Sequence, residues 1–186
     1  MTDLDGRLQD FEHRLRAAED RLELLSLEGL YGYAYDSRQG RLWASLFTED
    51  GVYQGRRWAT VPARKQSLIK GRANLANFCE QDTNSCVHYV HMPSFRIEGT
   101  KATGRVHFEI LTSTRDEYDR IQTWAVSGYY DVSYLRQEDG WRIHRRVTTY
   151  MVAKQSTHYG YERREVGVLD PSVEDTFGKQ NPINHS

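Results

Sequence analysis

Two residues of this chain could do acid–base chemistry as a pair, Asp36 and His88. Asp36 is the one acid near the end of an aromatic, helix-forming stretch, and His88 stands in Val87-His88-Tyr89-Val90, which has strand composition. A carboxylate that accepts a hydrogen bond from one imidazole nitrogen fixes the tautomer. It leaves the other nitrogen's lone pair for a proton and stabilises the imidazolium that forms. An ordinary imidazole has a pKa of about 6.5 and can accept a proton near neutral pH. Neither residue demands this reading alone. Asp36-Ser37 serves equally to end one helix or cap the next, and a lone strand histidine is more often structural.

Other pairings are weaker. His88 and His91 are three apart and would point to opposite faces of a strand, so they cannot share a metal ion without a bulge. No Cys or carboxylate cluster completes a ligand set, and no metal is expected. His107 and Glu109 share a strand face and form a second possible pair. His144, in Trp141-Arg142-Ile143-His144-Arg145-Arg146, reads as a solvated strand face. Cys79 and Cys86 lack an activating context. There is no Gly-x-Ser-x-Gly, Gly-x-Gly-x-x-Gly or Gly-Lys-Ser/Thr motif, which removes support for covalent, nicotinamide and nucleotide chemistry.

The elements that must position the pair follow from periodicity. Leu4, Leu8, Phe11, Leu15, Ala18, Leu22 and Leu25 alternate in steps of four and three, a heptad-like seam on a long amphipathic helix. That helix either packs along its own domain or reaches a second subunit. In the stretch Leu27 to Tyr53, LEGLYGYAYDSRQGRLWASLFTEDGVY, the residues Leu27, Leu30, Tyr31 and Ala34 share one helical side. Asp36 falls roughly opposite, beside Gly29, Gly32 and Tyr33. Each helical glycine costs about 1 kcal/mol relative to Ala. A close approach or an open space beside the backbone would offset that cost, so Asp36 is expected to face a gap rather than bulk water. Arg41–Phe47 predicts a short helix, Thr48–Gly51 a turn, Val52–Arg56 a strand and 57–67 a loop. A further helix follows Lys70-Gly71-Arg72, with Leu75, Phe78 and Cys79 inward. From Ser85 the period becomes two, which predicts strands at Val87–Glu98, Ala102–Thr114, Ile121–Arg136 and Trp141–Lys154. Helices followed by a run of long antiparallel strands indicate α+β, a curved sheet around a helical layer.

Composition sets the frame. The 186 residues suffice for one core, with 38% hydrophobic and 27% charged residues. The net charge of -1 gives no field to recruit nucleic acid or an anionic membrane. With two Cys, a charged start and no long apolar run, the expected compartment is the cytoplasm.

The stretch Leu27 to Tyr53, with VHYVHMPSFRIEGTKATGRVHFE and SGYYDVSYLRQEDGWRIHRRV, resembles in order and spacing the SnoaL-like branch of the nuclear-transport-factor-2-like superfamily, from about Leu22 to Val152. The resemblance implies a cone-shaped α+β barrel, a curved antiparallel sheet wrapped around helices with a central cavity. The lyases it resembles, scytalone dehydratase, bile-acid 7-alpha-dehydratase and hexachlorocyclohexane dehydrochlorinase, use an Asp–His dyad at positions that Asp36 and His88 match. Tyr53 matches a pocket tyrosine, Tyr31 a helix tyrosine and Tyr35 the tyrosine before the Asp. A second histidine of scytalone dehydratase has no counterpart near Thr112 or Ser113, and an arginine of the bile-acid enzyme falls near Tyr150.

The expectations are then a cofactor-independent lyase of dehydratase type, acting on a cyclic, largely apolar hydroxy-ketone, steroid-like or polyketide-like small molecule. Asp36, His88, Tyr53 and Tyr31 form the catalytic set; Tyr35, Tyr33, His107 and Tyr150 form the substrate-binding set. No metal, cofactor, nucleic acid or membrane is expected. The domain spans 1–153, with a polar extension over 154–186, and the resemblance implies a homo-oligomer, trimer ahead of dimer. Isomerisation or dehydrohalogenation with the same dyad, a non-catalytic binding cone and an assembly subunit stand as alternatives.

Overall fold

The computed structural model describes residues 3–58, 67–82, 85–115 and 121–158. The elements run α1 (Asp3–Asp36), α2 (Gly40–Ser45), β1 (Phe47–Trp58), β2 (Ser67–Lys70), α3 (Arg72–Glu80), β3 (Ser85–Val90), β4 (Ser94–Glu98), β5 (Lys101–Arg115), β6 (Ile121–Gln137) and β7 (Gly140–His158). The chain is α+β, with a curved, unclosed sheet against helices. Its strand order is β2-β1-β7-β6-β5-β3, and β4 pairs with β5 off that path.

The seam and the aromatic stretch form one helix of 34 residues. Several expectations are corrected. The sheet is not wholly antiparallel, because β1 lies parallel to β7. The single strand expected over Val87–Glu98 breaks after Val90; β3 and β4 pair with different halves of β5. The expected turn at Thr48–Gly51 lies inside β1, as an irregularity in its register with β7 between Phe47 and Val52. β7 continues to His158, past the expected strand end at Lys154. The loop expected over 57–67 lies largely outside the described residues, as does the tail beyond His158.

Alternation decides which strand residues build the core. On β5, Ala102, Val106 and Phe108 are buried while Lys101, Thr103, Arg105, His107 and Glu109 are exposed. Tyr130, Val132 and Tyr134 of β6 and Trp141, Ile143 and Arg146 of β7 continue the buried face. A break in the β6–β7 register falls at Ser127/Gly128, where a Cβ on Gly128 would sit 2.0 Å from the Thr149 carbonyl oxygen. Only glycine allows that approach, and such breaks bend a sheet.

One ion pair ties α1 to the sheet through the core. Arg146 Nη1 and Nη2 donate to Glu28 Oε1 and Oε2 at 2.9 and 2.8 Å, and the Tyr134 hydroxyl donates to Glu28 Oε1 at 2.7 Å. The guanidinium lies 3.7 Å from the Tyr31 ring centroid and 3.9 Å from that of Tyr130. Burial would discharge Arg146, but the Glu28 carboxylate outweighs it and holds the guanidinium charged. Further up the helix, Asp20 accepts from Arg136 and from Trp141 Nε1, and Glu23 accepts from the Trp141 backbone N–H.

Candidate active site

The end of α1 aims its last residue at β3. Gln39 N donates to the Ala34 carbonyl at 2.9 Å and Arg38 N to the Tyr35 carbonyl at 3.0 Å, the bond pattern of a Schellman cap. The left-handed position of that cap usually belongs to glycine; here it is Arg38, at φ 58°. A non-glycine residue held there marks a conformation that the surroundings enforce. The turn carries the Arg38 guanidinium back over the Tyr35 ring, 5.3 Å from its centroid. Its two terminal nitrogens lie 3.6 and 3.5 Å from Cys86 Sγ.

β3 lies against the Gly32–Asp36 side of α1. A Cβ on Gly32 would stand 3.4 Å from His88 Cβ, so glycine sets how closely strand and helix approach. Gly29 has nothing near it and is exposed, so the close approach applies to Gly32 alone.

Asp36 and His88 meet. His88 Nδ1 lies 2.5 Å from Asp36 Oδ1, and the His88 backbone N–H donates to Asp36 Oδ2 at 2.7 Å. The Cys86 thiol adds a donor to Oδ1 at 3.4 Å. Burial alone would raise the Asp36 carboxyl pKa; the bonds from His88 and Cys86 outweigh it and hold the carboxyl below its usual range. An ionised carboxylate only accepts, so Nδ1 carries the proton and Nε2 of neutral His88 presents a lone pair. The His88 side chain is 6% exposed, and that of Asp36 is 21% exposed.

Aromatic rings enclose the imidazole. Tyr35 stands edge-on to it with centroids 5.3 Å apart, and Tyr31 at 6.4 Å. Trp43 packs on Tyr31, Tyr35 and Tyr53, and Phe78 on Tyr35 and Tyr53. Burial pushes the Tyr31 and Tyr130 hydroxyls well above the ordinary phenol range, and nearby Tyr53 and Tyr150 hydroxyls push the same way. Such hydroxyls stay protonated and serve as hydrogen-bond donors. The Tyr53 hydroxyl accepts from Thr148 Oγ1 at 3.2 Å, and the Tyr35 hydroxyl donates to Asp82 Oδ2 at 2.9 Å.

The structure thus brings Asp36, His88, Tyr31, Tyr35, Tyr53 and Tyr150 into one region. It removes two expected residues. Tyr33 is on the solvent side of α1, 54% exposed, where its hydroxyl accepts from Gln39 Nε2. His107 is exposed on the outer face of β5, beside Tyr129. His144 is at the surface, 3.8 Å from Asp50.

Residues not singled out from sequence also stand here. Cys86 is two positions before His88 on the same strand face, a period-two signal that could have found it. Burial pushes its thiol up to about 11; neighbouring Asp36 adds to this and Arg38 opposes it. It is a donor to Asp36 rather than a nucleophile. Arg38 is held there by the cap of α1, and Asp82 and Tyr130 reach the region only through tertiary structure.

Among the described residues, Asp36, Cys86 and His88 form a group whose ligand atoms lie within 4.8 Å of one another. Those atoms are bonded to each other, and the Arg38 cation beside Sγ opposes a second positive charge. The donor set therefore suits proton chemistry better than ion binding. A cavity of about 530 Å³ near Phe95 and Asp131 and one of about 890 Å³ between α1 and Thr100 are not lined by Asp36 or His88. No described helix is long and apolar enough to cross a membrane.

Comparison with known proteins gives the context. A family model for the SnoaL-like domain matches residues 16–147. The uncharacterised protein Rv2910c of Mycobacterium tuberculosis is 32% identical over 135 residues, which is 70% of this chain and 84% of the relative. An NTF2-like protein with a cystatin-like fold from Novosphingobium aromaticivorans superposes with a TM-score of 0.59 at 25% identity, over 77% of this chain and 89% of that one. A hexachlorocyclohexane dehydrochlorinase, LinA type 2, superposes with a TM-score of 0.64 at 15% identity, over 81% of this chain and 99% of that one, a likeness of fold.

Proposed function

Since this chain belongs to the SnoaL-like domain family, we propose that it is a cofactor-independent lyase of dehydratase type in which Asp36 and His88 abstract a proton from a cyclic, largely apolar hydroxy-ketone. The observation that carries this reading is the 2.5 Å contact between His88 Nδ1 and Asp36 Oδ1. It is shorter than an ordinary hydrogen bond and puts the ring and the carboxylate in the relation of a base and its orienting group.

The chemistry follows from the atoms. Nε2 of neutral His88 takes the proton from the carbon next to the substrate carbonyl. The electrons move onto the carbonyl oxygen, where Tyr53 and Tyr31 donate hydrogen bonds to the developing negative charge. Asp36 holds the Nδ1 proton and stabilises the imidazolium. When the enolate collapses, the bond from the β-carbon to its hydroxyl breaks. The departing hydroxide takes the Nε2 proton and leaves as water, with the carbon–carbon double bond formed. This balance needs no oxidant or cofactor. The aromatic surroundings, Tyr35, Trp43, Phe78 and Tyr150, suit a flat apolar ring system.

The test is a screen of β-hydroxy cyclic ketones, steroids and aromatic polyketide-type compounds for loss of water. On any substrate found, His88→Ala and Asp36→Asn should each lower kcat by about 10²–10⁴-fold with the fold intact by circular dichroism. Full turnover in both variants would end the dyad reading.

A further inference from the structure

The N-terminal part of α1 buries none of its side chains in the body of the protein, although His13, Arg16 and Ala17 border a cavity shared with Phe95, Ile97 and Thr100. Every residue from Leu4 to Glu19 is exposed, and the first buried side chain is Asp20. An arm of this length projects about 24 Å. On it the heptad seam is uncovered: exposure runs from 48% at Leu15 to 72% at Leu4, with Leu8, Phe11 and Leu22 between. The body-facing side is a different one. Asp20, Leu24, Leu27 and Tyr31 dock on the domain, while Leu22 remains 64% exposed. An isolated helix this short is marginal in water, so its apolar stripe calls for a cover.

The charges beside the stripe say what that cover is. With Leu8, Leu15 and Leu22 at heptad position a, and Leu4, Phe11, Ala18 and Leu25 at d, position g is Arg7, Arg14 and Arg21. Position e is Asp5, Glu12 and Glu19. In a parallel pair of identical helices, each g residue faces the e residue of the next heptad on the partner. Arg7 then meets the partner's Glu12, and Arg14 the partner's Glu19, twice over by symmetry. An antiparallel pair would set arginine against arginine and acid against acid. The stripe is also narrow: outside a and d, residues 5–21 carry only Gly6 and Ala17 without a polar side chain. A strict a/d stripe is the seam of a coiled coil rather than a broad packing face.

We infer that the arm is a self-association device: two copies of this chain join through a parallel, in-register, two-stranded coiled coil over Leu4–Leu25. The two domains then sit at the same end of the coil. Surfaces of the cone are not needed, and the dyad is not part of the joint.

Sedimentation equilibrium on the full chain tests this. Wild type should have the mass of two chains, and Leu8→Glu with Leu15→Glu should have the mass of one, with the thermal unfolding of the domain retained. Arg7→Glu with Arg14→Glu should weaken self-association at least tenfold, as should Glu12→Arg with Glu19→Arg. Mixing these two reversed chains should restore the two-chain mass. A Leu4→Cys chain should cross-link through that position on oxidation, located by peptide mass mapping, because only an in-register parallel pair brings the two positions together. A wild-type mass of one or three chains would overturn the inference. So would a pair that survives Leu8→Glu with Leu15→Glu, or Leu4→Cys chains that fail to join through that position.

Discussion

Asp36 accepts hydrogen bonds from the His88 ring, the His88 backbone and the Cys86 thiol, and each is stronger when the carboxyl is ionised. That preference is a stability statement. A carboxyl whose folded pKa is depressed contributes stability above its unfolded value of about 3.9, and loses it as pH falls through the folded value. The wild-type advantage over Asp36→Asn in urea midpoint should therefore narrow as the pH drops below about 4. An advantage that stays constant to pH 3 would contradict the hydrogen-bond account. At this scale the sequence was readable where chemistry and period agreed. His88 needed a carboxylate and Asp36 was the acid on offer. His107 shares a strand face with Glu109, but that pairing alone does not say which face is buried. Ala102, Val106 and Phe108 are the apolar alternates of β5, and they send His107 to solvent. Tyr33 failed for a related reason, since the α1 side opposite Tyr31 is not covered throughout.

At the scale of elements, two devices hold α1 where the site needs it. The Glu28–Arg146 pair is fully enclosed, and its rings include Tyr31, whose hydroxyl is assigned to the developing negative charge. Removing one partner leaves a buried charge without its counterion, at a cost of about 3–5 kcal/mol. Glu28→Gln should lose that much in urea unfolding; a loss under about 1 kcal/mol would mean the pair is not the clamp. Nothing in the residue pattern marks this pair, because Glu28 and Arg146 look like any charged helix and strand residues until the fold encloses them. Gly32 is the second device and was legible, since a helical glycine beside an acid implies close approach or open space. A branched side chain there would press on His88, whose Cβ already lies 3.4 Å from the position of an added Cβ. Gly32→Val should lower turnover at least tenfold while destabilising the chain less than Glu28→Gln does. Equal turnover would show that the spacing of β3 and α1 does not matter.

For the molecule as a whole, the helix-then-strand order was enough to foresee α+β, and the long period-two runs foresaw β5, β6 and β7. What pattern could not convey was topology: the parallel pairing of β1 with β7, and the break that divides β3 from β4. Both depend on where distant segments land. The break matters to the site, because it lets β3, at the end of the sheet path, lie on α1 and carry His88 to Asp36 while β4 pairs with β5 off that path. The same helix serves two purposes along its length. Its C-terminal half builds the core and supplies Asp36, and its N-terminal half is exposed, with an apolar stripe bordered by arginine and acid. Assembly and chemistry are thereby separated by about three helical turns, so variants of the stripe should change mass without touching the dyad.

The central claim is that His88, oriented by Asp36, removes a proton from carbon. Proton abstraction can be read apart from loss of water, by following deuterium uptake next to the carbonyl of a cyclic ketone in heavy water with wild type, His88→Ala and Asp36→Asn. The account predicts enzyme-dependent exchange in wild type, falling about 10²–10⁴-fold in each variant. Exchange at the wild-type rate in both variants would contradict it.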